Sequence, residues 1–165
     1  MASQAIRWRR PIAVVRKFDE NGILRNVVVA EGNILTNAGM GRLIDLITGE
    51  SGVEPLTAES VRLGVGDSSA TATAEDTDLS EGSNQWFAEI DDGYPVANGS
   101  TIVYRATFGV DDANFTWACW GLDVTDSPPA TSGDTPNELF NRKVFNFGTK
   151  SGGIWDLSVI IGLTQ

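Results

Sequence analysis

Apolar and polar positions alternate through most of this chain, with one interruption of helical period. Residues 12–18 and 23–30 are rich in β-branched and aliphatic side chains, and Asp19-Glu20-Asn21-Gly22 separates them. A polar tetrapeptide with a glycine ready for positive φ, between two such runs, predicts a β-hairpin. Met40, Leu43, Ile44 and Ile47 then fall at i, i+3, i+4 and i+7. That spacing predicts a short helix capped by Thr36 or Asn37 and stopped at Gly49. Gly39 and Gly41 weaken its first turn by about 1 kcal/mol each, so packing must support it. Its apolar stripe is expected to lie across a sheet.

Further strands are expected at 61–65, 86–90, 101–110, 115–122, 139–147 and 154–163, with turns at Asp91-Asp92-Gly93, 111–114 and 148–153. In 101–110, Ile102, Tyr104, Ala106 and Phe108 share one face. In 115–122, Phe115, Trp117, Cys119 and Gly121 oppose Trp120 and Leu122. Apolar side chains on both faces predict a strand covered on both sides, by the helix, a second sheet or a neighbouring subunit. Between Arg62 and Leu79 a short strand passes two glycines, Gly64 and Gly66, and enters a loop of small residues that closes on Glu75, Asp76 and Asp78. It reads as a surface loop held at both ends. Residues 124–136 form a proline-, serine- and threonine-rich loop of the kind that contacts something or moves. About eight strands and one short α-helix, joined by short turns, predict a mainly β domain: an antiparallel β-sandwich or jelly-roll-like fold, with the last strand inside a sheet.

Composition changes this picture in two respects. The chain has 165 residues, enough for one domain with a core, and no histidine. The commonest general base and metal ligand is therefore missing. Cys119 is the sole cysteine, so it forms no internal disulfide, and its aromatic surroundings point to a buried, inert thiol. No segment is apolar enough to span a bilayer, and no long apolar run follows residues 1–10, so a soluble product of a reducing cytoplasm is expected. The net charge of −10 is unevenly placed. Arg7, Arg9, Arg10, Arg16 and Lys17 all precede the first acidic residue, Asp19. Residues 1–11 are expected to be a basic arm on a single β-rich domain, 12–165. Arg7, Trp8, Arg9, Arg10, Arg16 and Lys17 are the expected partner-binding residues, docking on an acidic or apolar protein surface. Trp8 could stack on a nucleic-acid base, but the acidic body repels phosphate, and nucleic acid is not an expected partner.

Candidate chemistry is thin. Gly64-Val65-Gly66 lacks the third glycine of a dinucleotide loop, since Ser69 stands there, and no βαβ unit surrounds it. Gly148-Thr149-Lys150-Ser151 has the wrong upstream spacing for a phosphate loop and is followed by a strand. Acidic pairs at the turns could hold calcium or cleave a glycoside, yet aspartate-rich turns also arise for backbone reasons alone. No catalytic residue, metal site or cofactor is assigned. Trp86, Trp117, Trp120 and Trp155 fall in strands, where indoles fill the space between layers. Two or more exposed side by side would instead make a carbohydrate platform.

Several segments form an ordered series: Asn33-Ile34-Leu35-Thr36-Asn37-Ala38-Gly39, the loop from Gly64 to Leu79, and Tyr104-Arg105-Ala106-Thr107-Phe108 with Phe115-Thr116-Trp117. Leu139-Phe140-Asn141-Arg142, Gly148-Thr149-Lys150 and Trp155 complete the series, which covers roughly residues 30–163. Together they resemble a family of small tailed-bacteriophage virion structural proteins. Trp120 departs from it, standing before Gly121-Leu122 where related chains often carry glutamate. The resemblance implies a non-enzymatic, homo-oligomeric particle component, made in the host cytoplasm and contacting major capsid, neck or tail proteins. The alternative is a tail-associated receptor- or glycan-binding module.

Overall fold

The computed structural model describes residues 7–79, 84–125 and 136–164. Ten strands and one helix run in the order β1 (Arg7–Phe18), β2 (Leu24–Glu31), β3 (Ile34–Leu35), α1 (Asn37–Thr48), β4 (Val61–Gly66), β5 (Gln85–Glu89), β6 (Val96–Asn98), β7 (Thr101–Phe108), β8 (Thr116–Val124), β9 (Glu138–Thr149) and β10 (Ile154–Thr164). They form two five-stranded antiparallel sheets, β2-β1-β10-β7-β6 and β3-β9-β8-β4-β5, stacked as a sandwich. The last strand is indeed inside its sheet. No helix of the described residues is long and apolar enough to cross a membrane.

The core lies between the sheets. Ala13, Val15, Tyr104, Ala106, Phe108, Leu157 and Val159 of the first sheet meet Leu63, Val65, Trp117, Trp120, Leu122 and Phe140 of the second. Trp117 packs edge-on between Phe108 and Trp155, with ring centroids 4.7 and 4.9 Å away. Such edge-to-face pairs add to the area they bury. The hairpin β1–β2 forms where expected. The Asp19 carboxylate accepts from the amides of Asn21 and Ile23, and Gly22 takes φ 75°.

The helix ends match expectation and its buried face does not. Thr36 is the N-cap, accepting from the Gly39 amide at 3.0 Å, and Gly49 closes the helix in the left-handed conformation. The Thr36 hydroxyl also donates to the Leu139 carbonyl of β9. A Cβ on Gly39 would overlap the Phe140 carbonyl, so this glycine lets the helix press onto the β9 backbone. The face turned inward is therefore Gly39 and Arg42, the latter donating to Glu138 at 3.0 Å. Met40, Ile44 and Ile47 of the expected core stripe stand 52%, 53% and 80% exposed. Leu43 alone of the stripe packs against the core.

Other expectations shift for local reasons. The arm boundary at residue 11 falls inside β1, because Arg7, Trp8 and Arg9 already pair with Thr164, Leu163 and Gly162. Residues 1–6 of the expected arm, and 126–135 of the loop at 124–136, lie outside the described residues. The short strands β3 and β6 owe their existence to pairing with β9 and β7. In β8 the register shifts between Trp117 and Cys119, which puts Trp117 in the same core as Trp120 and not on the opposite face. The far side of β8 is covered by Leu79, which closes a second small cluster with Phe87, Cys119 and Leu139.

Candidate interaction surface

The six residues expected to bind a partner divide into two groups. Arg7, Arg9 and Arg10 are exposed at the start of β1. The other three are engaged within the chain. Trp8 is half-buried, its ring 6.2 Å from that of Phe140, and it lines a cleft of about 410 Å³ with Leu43, Ile47, Tyr104 and Leu163. Arg16 is paired with Asp156 at 2.7 Å, directly across β1–β10. Lys17 donates to the Phe147 carbonyl and lies 4.2 Å from the centre of the Trp155 ring. Trp8 thus packs on its own domain, carried there by the strand pairing of residues 7–9.

A surface that sequence reading missed lies on the outer face of the first sheet. Its inward side chains are the core residues Ala13, Val15, Val159, Leu157 and Tyr104, so the alternate positions point outward. Register places Ile12 beside Ile160, Ile160 beside Val103, and Val103 beside Val96, an unbroken aliphatic row across four strands. Val14 sits next to Val29 of β2, extending the row toward the sheet edge. None of the row is buried, and Val96, Val27 and Val29 are 46%, 46% and 51% exposed. The ion pairs Arg16–Asp156 and Arg105–Asp91 bound it on one side. Strands apolar on both faces, as in Ile12-Ala13-Val14-Val15 and Val159-Ile160-Ile161, were the available signal. A sheet that must be covered twice reads that way.

The acidic turns serve the backbone. Asp91 accepts from Arg105 at 2.7 Å and from the Thr107 amide and hydroxyl at 2.9 and 2.8 Å. Asp112 accepts from the Gly109 amide at 2.8 Å. Lys150 is buried and donates to the carbonyls of Gly109 and Asp112 and to the Asn114 side chain. Burial lowers its pKa, partly opposed by Asp112 and Asp111. The lysine of the phosphate-loop lookalike is thus a clamp on the 109–114 turn. Among the described residues, no group of three acidic or cysteine side chains is arranged to hold a metal ion. Burial also pushes the Cys119 thiol up, and its sulfur lies 3.0 Å from the Leu79 carbonyl.

The small-residue loop after β4 is held down by Arg142 of β9. This guanidinium, 3% exposed, meets Asp76 at 2.7 Å. Burial alone would raise the Asp76 carboxyl. The hydrogen bonds from Arg142 and from Thr73, with the charge of Arg142, outweigh that and hold it below its ordinary value. A carboxyl lowered in the folded state stabilises above its unfolded pKa and loses that contribution as pH falls through the lowered value. The Thr73 amide, bonded to Asp76, is therefore expected to lose hydrogen-exchange protection in acid before the sandwich core does. Asp76→Asn should show the same loss at neutral pH. Unchanged Thr73 exchange in that variant would contradict the clamp.

With this geometry in hand, comparison with protein-family models, with curated proteins and with solved structures finds no match.

Proposed function

We propose that this chain is a non-enzymatic structural component of a tailed-bacteriophage particle, built in as a capsid decoration or cement protein or as part of the neck or tail. The observation that carries the reading is the uncovered aliphatic row on the first sheet, from Ile12 through Ile160 and Val103 to Val96. With the exposed Met40, Ile44 and Ile47 of α1, it leaves contiguous apolar surface on both a sheet and a helix. Such patches mark places where another protein is meant to sit. Arg7, Arg9 and Arg10 add exposed cations to an otherwise acidic molecule, which suits an acidic neighbour in the particle.

The segments that resemble virion proteins have a scaffold role in this fold. Thr36 and Gly39 dock the helix, Gly64 makes room for Leu79 and Phe87, and Lys150 clamps a turn. A resemblance carried by such residues speaks for a shared framework assembled with other proteins. The rival glycan platform loses its support, because it needs adjacent exposed indoles and none of the five tryptophans is exposed.

Purified particles of the phage that carries this sequence provide the test. Gold-labelled antibody against the chain is expected to mark one fixed location, shell or tail, on every particle. Particles that lack the chain altogether would contradict the proposal.

A further inference from the structure

The turn between β6 and β7 carries an asparagine set up to react. Asn21-Gly22 and Asn98-Gly99 are the two asparagine–glycine pairs in the chain. A following glycine leaves the main-chain nitrogen sterically open to attack the asparagine side chain. The fold treats the two pairs differently. At the β1–β2 turn the Gly22 amide donates to the Asp19 carbonyl at 3.0 Å, and the Asp19 carboxylate accepts from the Asn21 and Ile23 amides, each at 2.9 Å. The nitrogen there is engaged and its turn is tied down. At the β6–β7 turn the Gly99 amide has no hydrogen-bond partner among the described residues. Beyond its chain neighbours, no atom lies within 4 Å of where a Cβ on Gly99 would stand. All three residues of β6 are exposed, and β6 is the last strand of its sheet. Opening so short an edge costs little.

We propose that Asn98 is a site of spontaneous deamidation, promoted by Thr101. The Thr101 hydroxyl donates to the Asn98 main-chain carbonyl at 2.9 Å. That carbonyl shares its conjugated peptide unit with the Gly99 N–H, so the bond draws electron density from the nitrogen and eases loss of its proton. Hydroxide takes that proton. The nitrogen then attacks Asn98 Cγ and closes a five-membered imide. The Cγ–Nδ2 bond breaks, and ammonia leaves with a proton from water. A further water opens the imide at either carbonyl, giving aspartate or its β-linked isomer. Both products carry a new negative charge. Val96 pairs with Val103 and Asn98 with Thr101, so position 98 shares the outer face with the aliphatic row and would set a carboxylate beside it. The β-linked product also lengthens the backbone by one carbon where Asn98 meets Thr101, which breaks the register at that end of β6. The chemistry belongs to the chain itself and needs no partner.

Peptide mapping by mass spectrometry, on the full chain aged in mildly alkaline buffer, tests this. In the folded chain Asn98 is expected to convert to the acid roughly fivefold faster than Asn21 or more, since Asn21 must first give up a main-chain hydrogen bond. In urea, where both turns are open, the two sites should convert at similar rates. Thr101→Val should slow conversion at Asn98 in the folded chain and change nothing in urea. Asn98→Gln should remove the signal from that peptide, because its longer side chain closes a less favourable ring. A folded chain whose Asn98 stays intact while the urea sample converts overturns the inference, as do equal rates at the two sites in the folded chain. A Thr101→Val chain that ages like the wild type overturns the part given to Thr101.

Discussion

Asp123→Ala is expected to lower the free energy of unfolding by about 3–5 kcal/mol, because it strips a buried guanidinium of its carboxylate. Asp123 is fully buried and Arg62 is 3% exposed. The carboxylate accepts from Arg62 Nε at 2.9 Å and Nη2 at 2.6 Å, and from the amides of Asn137 and Glu138 at 2.7 and 3.0 Å. Pairing of β4 with β8 brings the two side chains directly opposite each other, and the guanidinium also lies 5.0 Å from the centre of the Phe87 ring. Removing the acid leaves a charge and two amides in a site that water reaches poorly. In a chain of this size the melting temperature should fall on the order of 10 °C. Urea denaturation measures the loss, and a change below about 1 kcal/mol would mean that the network relaxes easily.

Leu79→Ala is expected to cost about 2–5 kcal/mol, the range for emptying a buried leucine site that cannot collapse. The floor of that site is the backbone of two paired strands, which cannot move in to fill it. Gly64 and Gly121 face each other across β4 and β8, and Leu79 fills the notch they leave. A Cβ on Gly121 would stand 2.5 Å from the Asn141 carbonyl and 2.7 Å from the Leu79 side chain. One on Gly64 would overlap the Phe87 ring. Gly121→Ala should therefore destabilise by about 1–3 kcal/mol or more. Leu79→Ala should not rescue it, because the Asn141 backbone remains in the way. At Gly66 the nearest neighbour of an added Cβ is the Cys119 sulfur at 3.1 Å, so Gly66→Ala should cost less than Gly121→Ala. Equal losses at the two glycines, by the same urea titration, would show that the notch is not what they are conserving.

These two sites also show where the sequence was legible. Gly64 and Gly66 read in the sequence only as a strand exit, and their purpose needs the partner strand: only the pairing of Gly64 with Gly121 reveals a slot for a side chain from a loop. Arg62 and Asp123 each sit between aliphatic residues in a strand, in Val61-Arg62-Leu63 and Leu122-Asp123-Val124. Alternation alone turns such charges to solvent. Here the Phe87 ring lies against the guanidinium and the amides of Asn137 and Glu138 close on the carboxylate, so the pair is buried. The hairpin, the helix caps and most strand positions were readable because turn and cap chemistry is local. The helix orientation was not. Periodicity finds an apolar stripe, whereas the close approach of Gly39 to β9 decides which face goes down, and that face is offset from Met40, Ile44 and Ile47. The arginines at the start of the chain were recognised as unusual, yet their strand pairing with β10 depends on a partner more than 150 residues away. The outer aliphatic row was hidden for the same reason, since register across four strands is a tertiary fact.

The most direct measurement of the central claim, that the outer face of the first sheet is covered by protein in the particle, uses Val96→Glu with Val103→Glu. Both positions point away from the core, so the purified double variant should melt close to the wild type. Phage carrying it are expected to yield particles lacking the chain. Normal incorporation of a variant with two carboxylates in the middle of that row would contradict the account.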